Sequence, residues 1–384
     1  MTKYLGFIAL ATAALAACEQ NRGVTSPAAA VATSLQAQRG NQSGEGGDGP
    51  RAVYTLTNQV AGNAVAVFNR SADGTLTAAG TIATGGTGTG AGLGSQGAVA
   101  LSDDGRRLFA VNAGSNDVSV FDVGLAGLSL ASRTASGGTL PISLTVHGNV
   151  LYVLNAGGNG NISGFTIGTT GGLTAIPGST QLLSGTNVGP AQVSFSPDGR
   201  RLVVTEKNTS LLDVYAVDAN GAAGARTSFT SAGGTPFGFA FGPRHVLLVS
   251  EAAAPGSASS YVVGQAGDLR VASGSVLTHQ GAPCWAVVTN DGRFGFTGNG
   301  SGSVSGFSIA GDGSISLIDP NGASALIGAG VNDIALSSNS RYLYVLQTGG
   351  AQAIHAFRIE RDGHLAPLGP VGGLPAGTRG LAAF

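Results

Sequence analysis

The sequence predicts an all-β fold, a seven-bladed β-propeller of four-stranded antiparallel blades closed by the C-terminal strand joining blade one. Three observations carry it. A β-branched run recurs seven times at roughly 43 to 55 residues, the spacing of four-stranded blades. Each copy continues into a polar loop, a second apolar run and a turn signal. The first copy lacks the strand that should precede it, while the C-terminus carries a strand with no copy to continue into.

The N-terminus is read apart from the ring. Met1-Thr2-Lys3-Tyr4 precedes an apolar segment at 5–17, with a single positive charge and small residues ahead of the cut, as in a secretory signal. It is too short to span a bilayer, which needs about 20 apolar residues. Leu15-Ala16-Ala17-Cys18 resembles the lipobox of bacterial lipoproteins, in which the cysteine is lipidated and becomes the mature N-terminus. An ordinary signal peptide with an incidental cysteine is the alternative. Residues 19 to 50 are Ala, Ser, Gln and Gly without a period, too poor in large apolar side chains to offset chain entropy. The expected organisation is therefore a lipoprotein signal peptide at 1–17, a flexible tether at 18–50 from lipidated Cys18, and the propeller at 51–384. That places the protein outside the cytoplasm, facing the periplasm or the cell surface, and touching the membrane through its anchor only.

Composition narrows the class. Of 384 residues 42% are apolar, ample for a core, and 10% are charged. The 65 glycines have no three-residue period, which fits many tight turns better than a fibrous repeat. A net charge of −1 offers no basic face for nucleic acid, and aromatics are too scarce for stacking platforms.

The clearest copy lies in blade four, VSFSPDGRRLVVTEKNTSLLDVYA at 193–216. It holds a short apolar run, a Ser196-Pro197-Asp198-Gly199 turn, a β-branched run, a polar loop and a second apolar run. The β-branched run recurs as VYTLT at 53–57, LFAVN at 108–112, LYVLN at 151–155, LVVTE at 202–206, LLVSE at 247–251, FGFTG at 294–298 and LYVLQ at 343–347. Asp73-Gly74, Asn220-Gly221, Asp312-Gly313 and Asp362-Gly363 supply later turns. At the C-terminus GLAAF, 380–384, resembles GAVAL, 97–101, and is expected to complete blade one. Such closure leaves only short protected sheet edges.

Over about 51–384 the chain resembles the lactonase-type seven-bladed propellers and their YVTN-repeat relatives. The resemblance rests on Ser196-Pro197-Asp198-Gly199-Arg200, Val111-Asn112-Ala113-Gly114-Ser115 and Leu154-Asn155-Ala156-Gly157. It implies opening of lactone rings, as in 6-phosphogluconolactonases, or their formation, as in fungal carboxymuconate lactonising enzymes. Enzymatic members carry a P-H-x-H stretch entering a central blade. Here the matching stretch is Pro190-Ala191-Gln192-Val193, without either histidine.

Propeller loops after the second strand share one face around the central channel. On it the sequence places Asn112, Asn155, Glu206, Lys207, Glu251 and Gln347. Glu206 and Glu251 occupy equivalent positions in adjacent blades and are the candidate acid and base, or a seat for a Ca²⁺ or Mg²⁺ ion in the channel; no organic cofactor is expected. The alternative is that each ends its strand bonded to a neighbouring backbone amide or in solvent. Lys207 is either an attractor for an anionic lactone or a solvated loop lysine. Trp285, beside Cys284 at the start of the inner strand of blade six, is either a ligand platform or inter-blade packing; Cys284 itself reads as structural.

Other signals fail their context. Gly92-Leu93-Gly94-Ser95-Gln96-Gly97 matches G-x-G-x-x-G but precedes a strand rather than a helix. No G-x-S-x-G elbow occurs, and the five histidines are scattered without metal-ligand spacing. Two functions stay open. One is a binding propeller presenting its loop face to a small molecule or a protein, as a monomer. The other is a lactone hydrolase using Glu206 and Glu251.

Overall fold

The computed structural model describes residues 51–384; Cys18, the signal segment and the tether lie outside the described residues. The described chain forms seven antiparallel sheets arranged as a ring. Besides strands it contains one short 3-10 turn, Pro243–His245.

Blade four shows why these residues make this unit. Pro190–Phe195 is the inner strand, followed outward by Arg201–Glu206, Leu211–Val217 and Ala223–Thr230. Pro190 opens the strand at its first position, where a missing N–H costs no ladder bond. Leu202, Val203 and Val204 are buried on both sides between neighbouring blades. That explains a continuous apolar run where a half-solvated strand would alternate. The outermost strand has exposed positions at Gly224, Ala225, Ser228 and Phe229's neighbour Thr230 is exposed as well, because only one further layer covers it. Burial of each such Leu or Val contributes about 1.5–3 kcal/mol.

The turn between the first two strands is built from its sequence. Ser196 Oγ donates to Asp198 Oδ1 at 2.6 Å, and the same oxygen accepts the Arg200 N–H at 3.1 Å. Gly199 sits at φ +68°, the left-handed region where it avoids a Cβ penalty. Ser102 with Asp104 and Thr289 with Asp291 repeat the hydroxyl-to-carboxylate bond.

Ring closure is as the sequence predicts. Blade one pairs Leu76–Ala83, Ala64–Arg70, Ala52–Leu56 and, innermost, Arg379–Ala383. Val53 faces Ala383 and Tyr54 faces Ala382, while Phe384 N–H donates to Ala52 O at 3.0 Å. Arg70 Nε also donates to the Phe384 carbonyl at 3.0 Å.

Two details differ from expectation. In blades three and six the outer strand is split into two short pieces, Leu173–Ala175 with Gln181–Leu182 and Ile315–Leu317 with Ala325–Leu326. The blade-six run at 294–298 is one residue out of step. Pro283 pairs with Asn299 as Pro190 pairs with Glu206, so Asn299 ends that strand. Glycines at 295 and 298 blur the apolar pattern there and hide the register.

Candidate functional site

With the register fixed, Asn112, Asn155, Glu206, Glu251, Asn299 and Gln347 occupy one position, the end of the second strand in blades two to seven. All six side chains are buried. Their partners come from their own blade, from the preceding blade and from the segment that joins the two.

Asn112 Nδ2 donates to Asp117 Oδ1 and Ser119 Oγ, and its Oδ1 accepts from Asn63 Nδ2. Asn155 Nδ2 donates to Ser136 O at 3.2 Å. Asn299 Nδ2 donates to Ser303 and Ser305. Gln347 Nε2 donates to Ala329 O and Gly349 O, and its Oε1 accepts from His355 Nε2 at 2.9 Å. Burial lowers the His355 pKa, so the ring is neutral near pH 7.

The two glutamates extend this pattern. Glu206 Oε1 accepts the Ser184 N–H at 2.8 Å, and Oε2 accepts from the Ser184 and Thr209 hydroxyls. Glu251 Oε1 accepts from Gly233 N at 2.7 Å, Ser259 Oγ at 2.6 Å and Ser231 Oγ at 3.1 Å, and Oε2 accepts from Ser257 Oγ at 2.6 Å. All four oxygens are engaged and both residues are 0% exposed. As placed, both carboxylates are closed to solvent and each oxygen already accepts at least one hydrogen bond, so neither is turned toward a substrate proton or a cation. Among the described residues no group of three His, Cys, Asp or Glu side chains is set to hold a metal.

Lys207 Nζ donates to Gly94 O at 2.7 Å and stands 5.0 Å from the centre of the Phe237 ring. Trp285 is 1% exposed, packs edge-on against Phe237 at 5.5 Å and donates Nε1–H to Ser95 O at 3.0 Å. Both therefore meet the 93–96 segment, the stretch set aside as a failed dinucleotide motif. Successive inner strands explain why it lies there. Ser143 Oγ accepts the Val193 N–H of the next blade, and Gln192 brackets Phe239 with a bond to its N–H and one to its carbonyl. Blade five has Gly238 at the position of Gln192. Gln96 takes the vacant role, accepting Ala286 N–H at 2.9 Å and donating to Ala286 O at 2.8 Å. A Cβ on Gly238 would lie 2.1 Å from Gln96 Oε1. The loop thereby fills the centre of the ring on the side of blades five and six.

Sequence reasoning missed Asp213, although comparing copies points to it. It faces Val204 where Ser119 faces Ala110 and Ser259 faces Val249. Burial pushes the Asp213 carboxyl up to about 7, against the Ser228 hydrogen bond, and its shared hydrogen bond with Glu206 adds to the rise. Burial also acts on Glu206, but bonds from Ser184, Thr209 and Asp213 outweigh it and hold that carboxyl below its usual range. The pair thus shares one proton, carried by Asp213. A raised folded-state pKa favours folding below the unfolded value near 4 and loses that contribution as pH rises through about 7. Asp213→Asn, which keeps a donor to Glu206, is expected to gain stability over the parent above pH ~7 and little below pH ~4. The gain is at most about 4 kcal/mol, three pKa units' worth. Urea unfolding across that range checks it, and a gain confined to low pH would contradict it.

Arg379, Asn332 and Asp333 also escaped notice; they sit on the inner strands Arg379–Ala383 and Val331–Leu336 of blades one and seven. Two open hollows, of about 440 and 340 Å³, lie elsewhere. One is lined by Thr166, Pro177 and Asn220, the other by Ser102, Arg107 and Thr169, and neither holds a candidate residue.

Comparison with known proteins agrees with this architecture. Residues 51–188 match the family model described as Lactonase, 7-bladed beta-propeller. No curated protein matches the chain. A putative 6-phosphogluconolactonase from Bacteroides fragilis superposes with a TM-score of 0.70 at 18% identity, covering 86% of this chain and 97% of its own. The periplasmic gluconolactonase of Pseudomonas aeruginosa gives 0.66 at 18% identity, covering 85% and 98%. A Lactobacillus plantarum protein gives 0.69 at 18% identity, covering 87% and 98%. At such identities the likeness is one of fold.

Proposed function

We propose that this chain, a seven-bladed propeller resembling the lactonase type, is a ligand-binding protein held at the cell envelope by lipid on Cys18. Its ligand is a small molecule taken at the loop face of the ring. The observation that carries this reading is that every oxygen of Glu206 and Glu251 is already committed to donors of its own blade or of the arriving loop. A hydrolase needs a base with a lone pair turned to its substrate. Ala191 and Val193 stand where enzymatic relatives carry histidines, which removes the other source of one.

Lactone hydrolysis is the second reading, favoured by the family match over 51–188. Base uptake at constant pH separates the two, with the full chain offered a panel of sugar-acid lactones with and without Ca²⁺ or Mg²⁺. The expected result is no uptake above background from folded protein. Uptake that disappears in Glu206→Gln or Glu251→Gln would replace binding by hydrolysis. Fractionation of cells making Cys18→Ser checks the anchor, and protein that stays with the membranes would refute it.

A further inference from the structure

Arg379 opens the closing strand and is 4% exposed. Its Nη1 donates to Thr378 O at 2.6 Å and Thr348 Oγ1 at 3.1 Å. Thr348 Oγ1 also accepts from Asn332 Nδ2 at 2.5 Å, so the guanidinium is fixed in place by its neighbours. Its Nε and Nη2, buried as well, have no hydrogen-bond partner. These two nitrogens form one of the guanidinium edges that take a carboxylate with two parallel bonds, the side-on edge. Buried donors are otherwise almost always paired. Burial lowers the Arg379 pKa to about 10, which still leaves it charged at neutral pH.

The surroundings are lopsided. At the positions equivalent to Arg379, the inner strands of blades three to six carry Ile142, Ala191, Phe237 and Cys284, all buried. On blade seven the position equivalent to Arg379 is the buried polar Asn332, and beside it Asp333 Oδ2 is a further buried atom without a partner. Asp333 Oδ1 accepts the Ile334 N–H at 2.8 Å, and burial raises its pKa well above the usual range against backbone hydrogen bonds from Ile334 and Leu381, so the carboxyl is neutral.

We propose that Arg379 is the anchor of a buried binding site for a small carboxylic acid, its Nε–H and Nη2–H gripping the carboxylate. The proposal rests on the reading of this protein as a binding propeller and names the ligand class. In this proposal the neutral Asp333 carboxyl of the adjoining blade supplies a donor to a hydroxyl of the ligand, which makes the acid a hydroxy acid. The edge is closed to solvent here, and the segment around Gly90 and Ala91 lies against Gly377. Asn58 Nδ2 ties Ala91 O of that segment to Gly377 O, two residues before Arg379. Ligand entry displaces it.

The test uses the full chain, with acetate, gluconate, inorganic phosphate and neutral gluconolactone as probes. It is read by calorimetry and by the Nε–H proton resonance of Arg379. Acetate and gluconate are expected to bind and move that resonance downfield, with affinity falling about tenfold in R379K, which keeps charge but loses the fork. Because R379K can fail to fold, the parent's resonance decides on its own. A resonance unmoved by either acid, or phosphate binding more tightly than both, overturns the proposal. Gluconolactone binding without carboxylate binding would sink the carboxylate site and spare the binding propeller; silence from all four probes would sink both.

Discussion

A chain ending at residue 379 is expected to show no cooperative unfolding transition and no dispersed amide spectrum. Residues 380–384 include four of the five residues of the innermost strand Arg379–Ala383, and without them the ladder facing Val53 and Tyr54 has no partner. Thr55 Oγ1 loses its acceptor at Gly380 O, 2.5 Å away, and Arg70 Nε loses Phe384 O. Leu381 and Ala382, both buried, leave a gap between the first and last blades. The loss is not local, because an open ring exposes two blade faces where a closed one exposes none. Its cost exceeds the ~5–15 kcal/mol that ordinarily separates folded from unfolded chains. Far-UV circular dichroism during heating checks it. A truncated chain that melts in a single sharp transition near the parent would mean that blade one holds as three strands.

The second large effect concerns Glu251→Ala. The substitution strips four donors of their acceptor, among them the Gly233 N–H and the Ser257 and Ser259 hydroxyls. Gly233 packs directly on the carboxylate, where a Cβ would stand 2.0 Å from Glu251 Oε2, so the substitution also leaves a gap under the loop. A destabilisation of about 3–5 kcal/mol is expected, since buried donors left unpaired cost about 1–3 kcal/mol each and some hydroxyls can turn away. Glu251→Gln keeps the shape and two acceptor lone pairs and should lose less. Denaturant midpoints give both values. A Glu251→Ala protein within about 0.5 kcal/mol of the parent would show that the carboxylate is dispensable to the fold and would restore it as a candidate for chemistry.

Much of the architecture could be read before any coordinates. Turns such as Ser196-Pro197-Asp198-Gly199 carry their geometry in their residue types, and a repeated apolar run survives substitution because burial tolerates any large aliphatic side chain. The closing strand was legible for a similar reason, as a strand lacking a sequel at one end and a gap at the other. The site was not. A glutamate at a strand end looks the same whether it faces solvent or four donors, because two of those donors, Ser231 and Gly233, come from the segment that arrives from the preceding blade. Asp213 was legible only by comparing copies in register, and the slip at 294–298 shows how glycine-rich runs defeat that. Arg379 carried no motif at all. Its interest lies in two bonds that are not made, and no sequence displays an unmade bond.

The exchange between Gly238 and Gln96 bears on how the ring counts. Seven similar sheets with similar flanks invite mistaken neighbours, and a ring of six or eight blades would satisfy the same apolar pattern. A side chain from the loop entering blade two that fits only the notch left by Gly238, against the backbone of Ala286, makes one arrangement distinguishable from its rivals. It works like the ward of a lock, spanning the hub and engaging only when blade six stands across from blade two.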